Sequence, residues 1–220
     1  MEFVPRPSPV ELERVSVRRG GSLILRDLDL VVEPAEVVAV RGQNGSGKTT
    51  LLRLISTLLA PTSGKAHILG VDAADRQAVL GYRHRIGLIG HDPALWPELT
   101  LEENISVLPN LRRLGRPALD EAMGSVGLAG ARRRRADRSS LGMKRRVEFA
   151  RIRLDLPDLL LLDEAHAGLD AGAAALVEDT ALLVQARGGS VIVVAHDVTR
   201  MQSVLSRTLN LVDGRLEPAP

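Results

Sequence analysis

Residues 42–50 read GQNGSGKTT, and this nonapeptide restricts the chain to a small set of folds. One glycine, four residues and then Gly-Lys-Thr is the spacing at which a nearly bare backbone can wrap a polyphosphate, with successive N–H groups aimed at its oxygens. Gly42, Asn44, Gly45, Ser46 and Gly47 are expected to wall that cradle, and glycine reaches the necessary backbone angles cheaply. The flanks agree: Glu36-Val37-Val38-Ala39-Val40 predicts a buried strand and Thr50-Leu51-Leu52-Arg53-Leu54-Ile55 the start of a helix. A helix N-terminus carries roughly half a positive charge, so dipole and free amides favour phosphate at the same place. Lys48 is expected to reach the β- and γ-phosphates, and Thr50 to stand among the nucleotide contacts. Thr49 would offer its hydroxyl to Mg²⁺, a hard cation that prefers oxygen. A glycine turn without a ligand is the competing reading, and the flanking strand and helix argue against it.

Composition narrows the partners. At 220 residues the chain can hold one large domain or two small lobes around a real core. It has no cysteine, which excludes disulfides and thiol chemistry and is compatible with a reducing cytoplasm. Arginine supplies nearly all of the 29 basic residues, with lysine only at 48, 65 and 144; at a net charge of +2 that skew reads as a genomic preference. With aromatic residues at 2%, little is left to stack bases, and no nucleic-acid partner is expected. The opening MEFVPRPSPV carries Glu2 and three prolines where a secretory signal would be apolar. No apolar run reaches the ~18 residues that span a bilayer, so any membrane role is expected to come through a partner.

Periodicity sets the order of elements. Residues 10–41 alternate as strands, VELERVSVRR and SLILRDLDLVVE about a Gly20-Gly21 turn, with shorter strands around HILGV and IGLIG. From about 97 to 156 the pattern is helical, opened by a possible capping box at Thr100-Leu101-Glu102-Glu103 and closed by VEFARIRLDL before Pro157. LLLLD at 159–163 and SVIVVAH at 190–196 predict buried parallel strands with polar C-terminal ends, where α/β sheets bind ligands. The expected fold is α/β: a phosphate-loop core of mostly parallel strands, an N-terminal antiparallel β lobe and an inserted helical subdomain. In one domain over 1–220, the lobe takes about 10–35 and 66–80, the helical part about 97–156, and the core 36–65, 82–96 and 157–215. The tail EPAP is expected to fray.

Leu159-Leu160-Leu161-Leu162-Asp163-Glu164 has the form of an apolar strand delivering an acid pair into a dry site. Asp163 would hold Mg²⁺ through water. Glu164 would polarise the attacking water as general base, a role typically worth about 10²–10⁴ in rate. Alone, an acid after an apolar run often marks a strand end reaching solvent; the phosphate loop upstream favours the chemical reading.

Together with Ser139-Ser140-Leu141-Gly142-Met143-Lys144-Arg145-Arg146, Ala167-Gly168-Leu169-Asp170 and His196 in VIVVAHD, this arrangement resembles the ATP-binding subunit of ABC transporters along nearly the whole chain. The first segment is similar to the family signature, opening a helix; the second to its D-loop; the third to its switch histidine. The resemblance implies ATP and Mg²⁺ as ligands and two units packed head to tail, so that Ser140 and Gly142 of one cap the γ-phosphate held by Lys48 of the other. It implies Asp170 as a D-loop contact and His196 as a γ-phosphate contact that orients the catalytic water. It also implies a membrane-spanning partner subunit, a second copy or paralogue of the chain, and a peripheral position on the cytoplasmic face of the membrane.

Several positions depart from the family pattern. His91 stands where a Mg²⁺-sensing glutamine is usual, and since Mg²⁺ prefers oxygen to imidazole, His91 is expected to act through water or to read the partner. Arg19 occupies the place of the aromatic ring that stacks on adenine, and a guanidinium can also stack. Ala35 replaces the glycine before the core strand, and Ala165 the proline after the catalytic glutamate. Arg132–Arg135 read either as a solvated face or as a contact for anionic lipid or an acidic partner. The segment GHDPALWPELTLEENI resembles haem-exporter ATPases of cytochrome c maturation, and the short C-terminus fits them. STLLAPTSGKAHILGVDAAD and the signature resemble multidrug and antibiotic exporter ATPases. A soluble ABC ATPase outside transport and a module that binds ATP without hydrolysing it complete the alternatives.

Overall fold

The alternating start of the chain forms two long antiparallel strands, β1 (Val10–Arg19) and β2 (Ser22–Val32), with Val10, Leu12, Val15, Val17, Leu25, Leu28, Leu30 and Val32 buried. Pairing slips between Leu12 and Val15 and again before Arg18, and Arg14 and Asp27 take positive φ at these irregularities. This computed structural model describes residues 7–107, 111–166, 169 and 171–219. They divide into two units, one of 7–88, 157–163 and 184–219, the other drawn from 89–156 and 164–183.

In the first unit, β3 (Val37–Arg41) leads into α1 (Lys48–Ile55), followed by β4 (Ser63–Ile68), β5 (Val71–Asp72) and α2 (Arg76–Tyr82). The antiparallel sheet runs β2-β1-β4-β5. The second sheet also uses β6 (Ile86–Ile89), β7 (Leu159–Asp163), β8 (Ser190–Val194), β9 (Arg207–Val212) and β10 (Arg215–Pro218), in the order β10-β9-β3-β8-β7-β6. β3 pairs in parallel with β8 and β9, and β7 in parallel with β8; β10 turns back, antiparallel to β9, at Asp213-Gly214. Parallel strands covered on both faces read as unbroken apolar runs, and all five residues of β7 and of β8 are buried. Both sheets share one core with Leu51, Leu52, Leu54 and Ile55 of α1, each large apolar side chain contributing roughly 1.5–3 kcal/mol by leaving water.

The second unit is helical. α3 (Leu101–Ser106) opens on a true capping box: the Glu103 amide donates to Thr100 Oγ1 at 3.2 Å, and the Thr100 amide to Glu103 Oε2 at 2.7 Å. α4 (Leu111–Ser125) is interrupted at Gly115 (φ 73°, ψ −173°), just ahead of Pro117. α5 (Leu141–Leu154) starts on the signature and stops three residues before Pro157. Leu101, Ile105, Met123, Val126, Val147 and Phe149 are buried. α6 (Ala171–Ala186) crosses the division, its last turn from Val184 belonging to the first unit. The arginine cluster is internally paired: Arg132 Nε lies 2.7 Å from Glu102 Oε2 and its guanidinium also meets Asp120, while Arg135 Nη2 lies 2.7 Å from Asp137 Oδ2. Arg134 donates to the Arg138 carbonyl at 2.7 Å. Three of the four arginines are thus engaged with their own unit, which favours the solvated, self-paired face over a lipid contact.

Among the described residues no helix is long and apolar enough to cross a membrane.

Candidate nucleotide site

The loop after β3 is shaped by what cannot fit in it. A Cβ on Gly42 would stand 2.5 Å from Ser46 Oγ and 2.6 Å from the Leu211 carbonyl oxygen. Gly47 has φ 107°, where an added Cβ would come within 2.9 Å of Leu25 Cδ2. Lys48, the first residue of α1, is 8% exposed and donates from Nζ to the Gly42 carbonyl at 2.7 Å and the Gln43 carbonyl at 2.9 Å. Its ammonium therefore sits within the curve of the loop. Ser46 Oγ is buried without a hydrogen-bond partner, an acceptor and donor ready for a ligand oxygen.

Thr49 and Asp163 arrive from different elements. The Thr49 hydroxyl donates to Asp163 Oδ2 at 3.4 Å, joining the first turn of α1 to the C-terminal end of β7. Asp163 is 6% exposed at the end of a strand whose other residues are all buried leucines. A hydroxyl and a carboxylate are the hard donors that Mg²⁺ accepts while keeping several waters. No group of three or more His, Cys, Asp or Glu able to hold a metal occurs among the described residues. The donor set fits an ion that shares its shell with phosphate, and does not fit an all-protein cage.

Beside the loop opens a groove of ≈ 730 Å³, lined by the loop itself with Arg41, His196, Asn210 and Asp213 among others. His196 lies two residues beyond β8 and is exposed. Hydrogen bonds from the Thr199 hydroxyl and backbone hold the neighbouring Asp197 carboxyl below the usual range, aided by the charges of Arg41 and His196. Arg41, Asn210 and Asp213 were not among the residues singled out above. Asn210 arrives by the parallel pairing of β3 with β9, opposite Arg41, and Asp213 by the Asp-Gly turn, whose dipeptide is a legible hairpin signal. Arg19 closes β1 opposite Ser22, exposed, and does not line this groove.

The remaining candidates belong to the helical unit. Glu164 has φ 50°, left-handed backbone that costs a non-glycine residue about 1–2 kcal/mol and that recurs at functional sites. Ser140 is the N-cap of α5, its Oγ accepting from the Met143 amide at 3.2 Å, and Gly142 lies in the first turn. His91 is exposed beyond β6. Asp170, with Ala167 and Gly168, lies outside the described residues.

A strand, glycine loop and helix with a buried lysine, and a hydroxyl–carboxylate pair at the end of β7, define a nucleotide-hydrolysing site of the phosphate-loop class. The family model described as ABC transporter matches residues 25–167, and the chain belongs to that family. It is an ATP-binding subunit and ATP hydrolase of the ABC type. It is 34% identical to the cytochrome c biogenesis ATP-binding export protein CcmA of Methylococcus capsulatus, over 93% of this chain and 98% of that one. It is also 34% identical to the Fe(3+) ions import ATP-binding protein FbpC of Streptomyces coelicolor, over 96% of this chain but 61% of that protein's length. The daunorubicin resistance ATP-binding protein DrrA3 of Streptomyces coeruleorubidus is 34% identical, over 93% and 65%. Among solved structures, the dimeric post-hydrolysis state of an ATP-binding cassette bound to ADP and Pi superimposes with a TM-score of 0.83 at 26% identity, over 94% of this chain and 96% of that one.

Proposed function

We propose that this ATPase works as a head-to-tail dimer on a separate membrane-spanning subunit and drives export, in the manner suggested for a haem exporter. The single observation that carries the hydrolytic part is the Thr49–Asp163 pair beside a lysine folded into the loop. Thr49 and Asp163 would hold Mg²⁺, which when bound would neutralise charge on the phosphate oxygens. Gly42, Asn44, Gly45, Ser46, Gly47 and Thr50 offer backbone and hydroxyl contacts to ATP, and Lys48 exchanges its carbonyl partners for phosphate oxygens. Glu164, next to Asp163 in the chain, takes the proton of the attacking water. The water oxygen bonds to the γ-phosphorus, and the β–γ bridging oxygen leaves with ADP. His196 orients that water, and Ser140, Gly142 and Asp170 serve the site of the other copy. His91 acts through water or on the membrane partner, and Arg19 stacks on adenine.

The export reading is supported by the likeness to CcmA, which at 38% over 81% of this chain includes the Bordetella bronchiseptica protein. The likeness to DrrA3 supports a multidrug or antibiotic exporter as the second reading. Importers match at similar identity, FbpC above and the phosphate import protein PstB 2 of Natronomonas pharaonis at 34%, so identity alone does not give direction. The mass of Glu164→Gln in solution, by light scattering, tests the dimer: a monomer that doubles only with Mg-ATP is expected, and a monomer throughout despite bound ATP sinks the homodimer. Deleting the gene decides the cargo. Loss of covalently attached haem from c-type cytochromes, restored by the wild type but not by Glu164→Gln, supports the haem reading; intact cytochromes with new drug sensitivity select the second.

A further inference from the structure

Arg145 has no part in the chemistry above, yet it is fully buried, at 0% exposure. A guanidinium leaves water only where hydrogen bonds replace its hydration. Arg145 Nη1 donates to the Gly90 carbonyl at 2.7 Å and to Glu148 Oε2 at 2.8 Å, and Nη2 donates to the His91 carbonyl at 2.6 Å. One turn along α5, Glu148 Oε1 accepts from the Ala94 amide at 2.9 Å, and Arg151 Nη1 donates to the Ala94 carbonyl at 3.1 Å. Residues 145, 148 and 151 share one face of the helix and grip the backbone on both sides of His91. Arg145 Nε is buried without a partner, so the guanidinium is oriented for the two carbonyls and not for its own full satisfaction.

The geometry has a specific consequence at His91. The Gly90 carbonyl belongs to the peptide plane before the His91 Cα, and the His91 carbonyl to the plane after it. Peptide units are planar, so holding both oxygens on one guanidinium restricts φ and ψ of His91 together and with them the direction of its Cβ. The exposed imidazole is therefore launched from a restrained backbone.

We propose that Arg145 is the positioning residue for His91, and that through α5 it ties His91 to the helix that Ser140 caps. The proposal rests on the reading of His91 given above. Any displacement of the signature helix then carries His91 with it, a mechanical link built inside one unit. Lysine cannot replace Arg145 here, because an ammonium on a flexible stem keeps the charge for Glu148 but cannot span two successive carbonyls in one plane.

The test is a double-mutant cycle read by steady-state ATP hydrolysis with Mg-ATP and by the chain's one tryptophan, Trp96, five residues beyond His91. Arg145→Lys is expected to lower kcat about tenfold with little change in KM, the size usual for groups that orient a functional side chain. Its Trp96 anisotropy should fall. His91→Ala is expected to lower kcat similarly, and adding Arg145→Lys to it should cost less than about twofold more, because both act through one group. The paired change Arg145→Met with Glu148→Leu, which removes both members of the buried ion pair, should reproduce the loss if the lysine variant folds poorly. Losses that multiply across the cycle, or an unchanged kcat with lower thermal stability, make Arg145 a structural brace and overturn the proposal. Unchanged turnover in His91→Ala removes the water-mediated role of His91 in hydrolysis, and the proposal with it; reduced turnover there with multiplicative losses removes only the clamp.

Discussion

The phosphate-loop unit and the helical unit secure their functional residues by different means. Around Lys48 the constraints are backbone: glycines that admit no Cβ, two carbonyls around an ammonium, and strands buried on both faces. Around His91 and Ser140 the constraints are side chains. Arg145 and Glu148 hold one segment, Arg132 bridges Glu102 and Asp120, and hydroxyls cap α3 and α5. A site made of backbone tolerates few substitutions of any chemistry, whereas one made of ion pairs and caps yields to truncation one side chain at a time. The first suits a fixed cradle for phosphate, the second a unit whose parts shift together.

The largest test of the contrast is Lys48→Met. It removes a cation and donors but no backbone constraint, so the fold should persist while turnover falls by about 10²–10³, the usual cost of one electrostatic contact to a developing charge. Phosphate release against melting temperature measures both. A variant that unfolds would show Lys48 to be a structural staple of its two carbonyls, and the division drawn above would fail.

Gly42→Ala should follow. The added methyl meets the Leu211 carbonyl oxygen at 2.6 Å, and a backbone atom cannot step aside as a side chain can. Overpacking of this kind costs roughly 1–3 kcal/mol, and here it also displaces the loop. Nucleotide affinity, read by a fluorescent ATP analogue, should drop together with stability. An alanine variant with normal affinity would mean that the loop is more compliant than its contacts imply.

This contrast also explains what could be read from the residues alone. The loop, β3, β7 and β8 were legible because their constraints are local: glycine spacing and unbroken apolar runs. The capping box at Thr100 was legible for the same reason, since caps are satisfied within four residues, whereas the helix opening at Ser140 was legible through the resemblance to the family signature. β4 was half visible. Ala66 and Ile68 are buried, but Ser63-Gly64-Lys65 is exposed and owes its strand form to pairing with β1. Arg145 was not visible at all, because in Lys144-Arg145-Arg146 it looks like its neighbours, and its partners are carbonyls 54 and 55 positions away. Groove residues Asn210 and Asp213 likewise depend on which strands lie side by side.

A smaller effect probes the helical unit through its caps. Thr100→Ala removes the hydroxyl that accepts from the Glu103 amide, and such caps are worth about 1 kcal/mol. The Thr100 amide and hydroxyl hold the Glu103 carboxyl below its usual range. Because its folded pKa is depressed, the stabilisation is present above the unfolded carboxylate pKa and is lost as pH falls through the folded value. The gap in melting temperature between wild type and Glu103→Gln should therefore narrow below about pH 4. A gap constant with pH would assign the cap to shape and not to charge.

The smallest effect returns to the backbone-built unit and turns on sign. Ala35 has φ 59°, and the Gln185 amide donates to its carbonyl at 2.9 Å. Left-handed backbone costs alanine about 1–2 kcal/mol. Glycine relieves that strain but frees the unfolded chain, a loss of roughly 0.4–1 kcal/mol. The difference favours glycine by about 0.8 kcal/mol, so Ala35→Gly should raise the denaturation midpoint slightly, leave the denaturant slope unchanged and not alter ATP turnover. A lower midpoint would mean that the bond from Gln185 already compensates the alanine, and that even in this unit a side chain, and not the backbone alone, sets the local geometry.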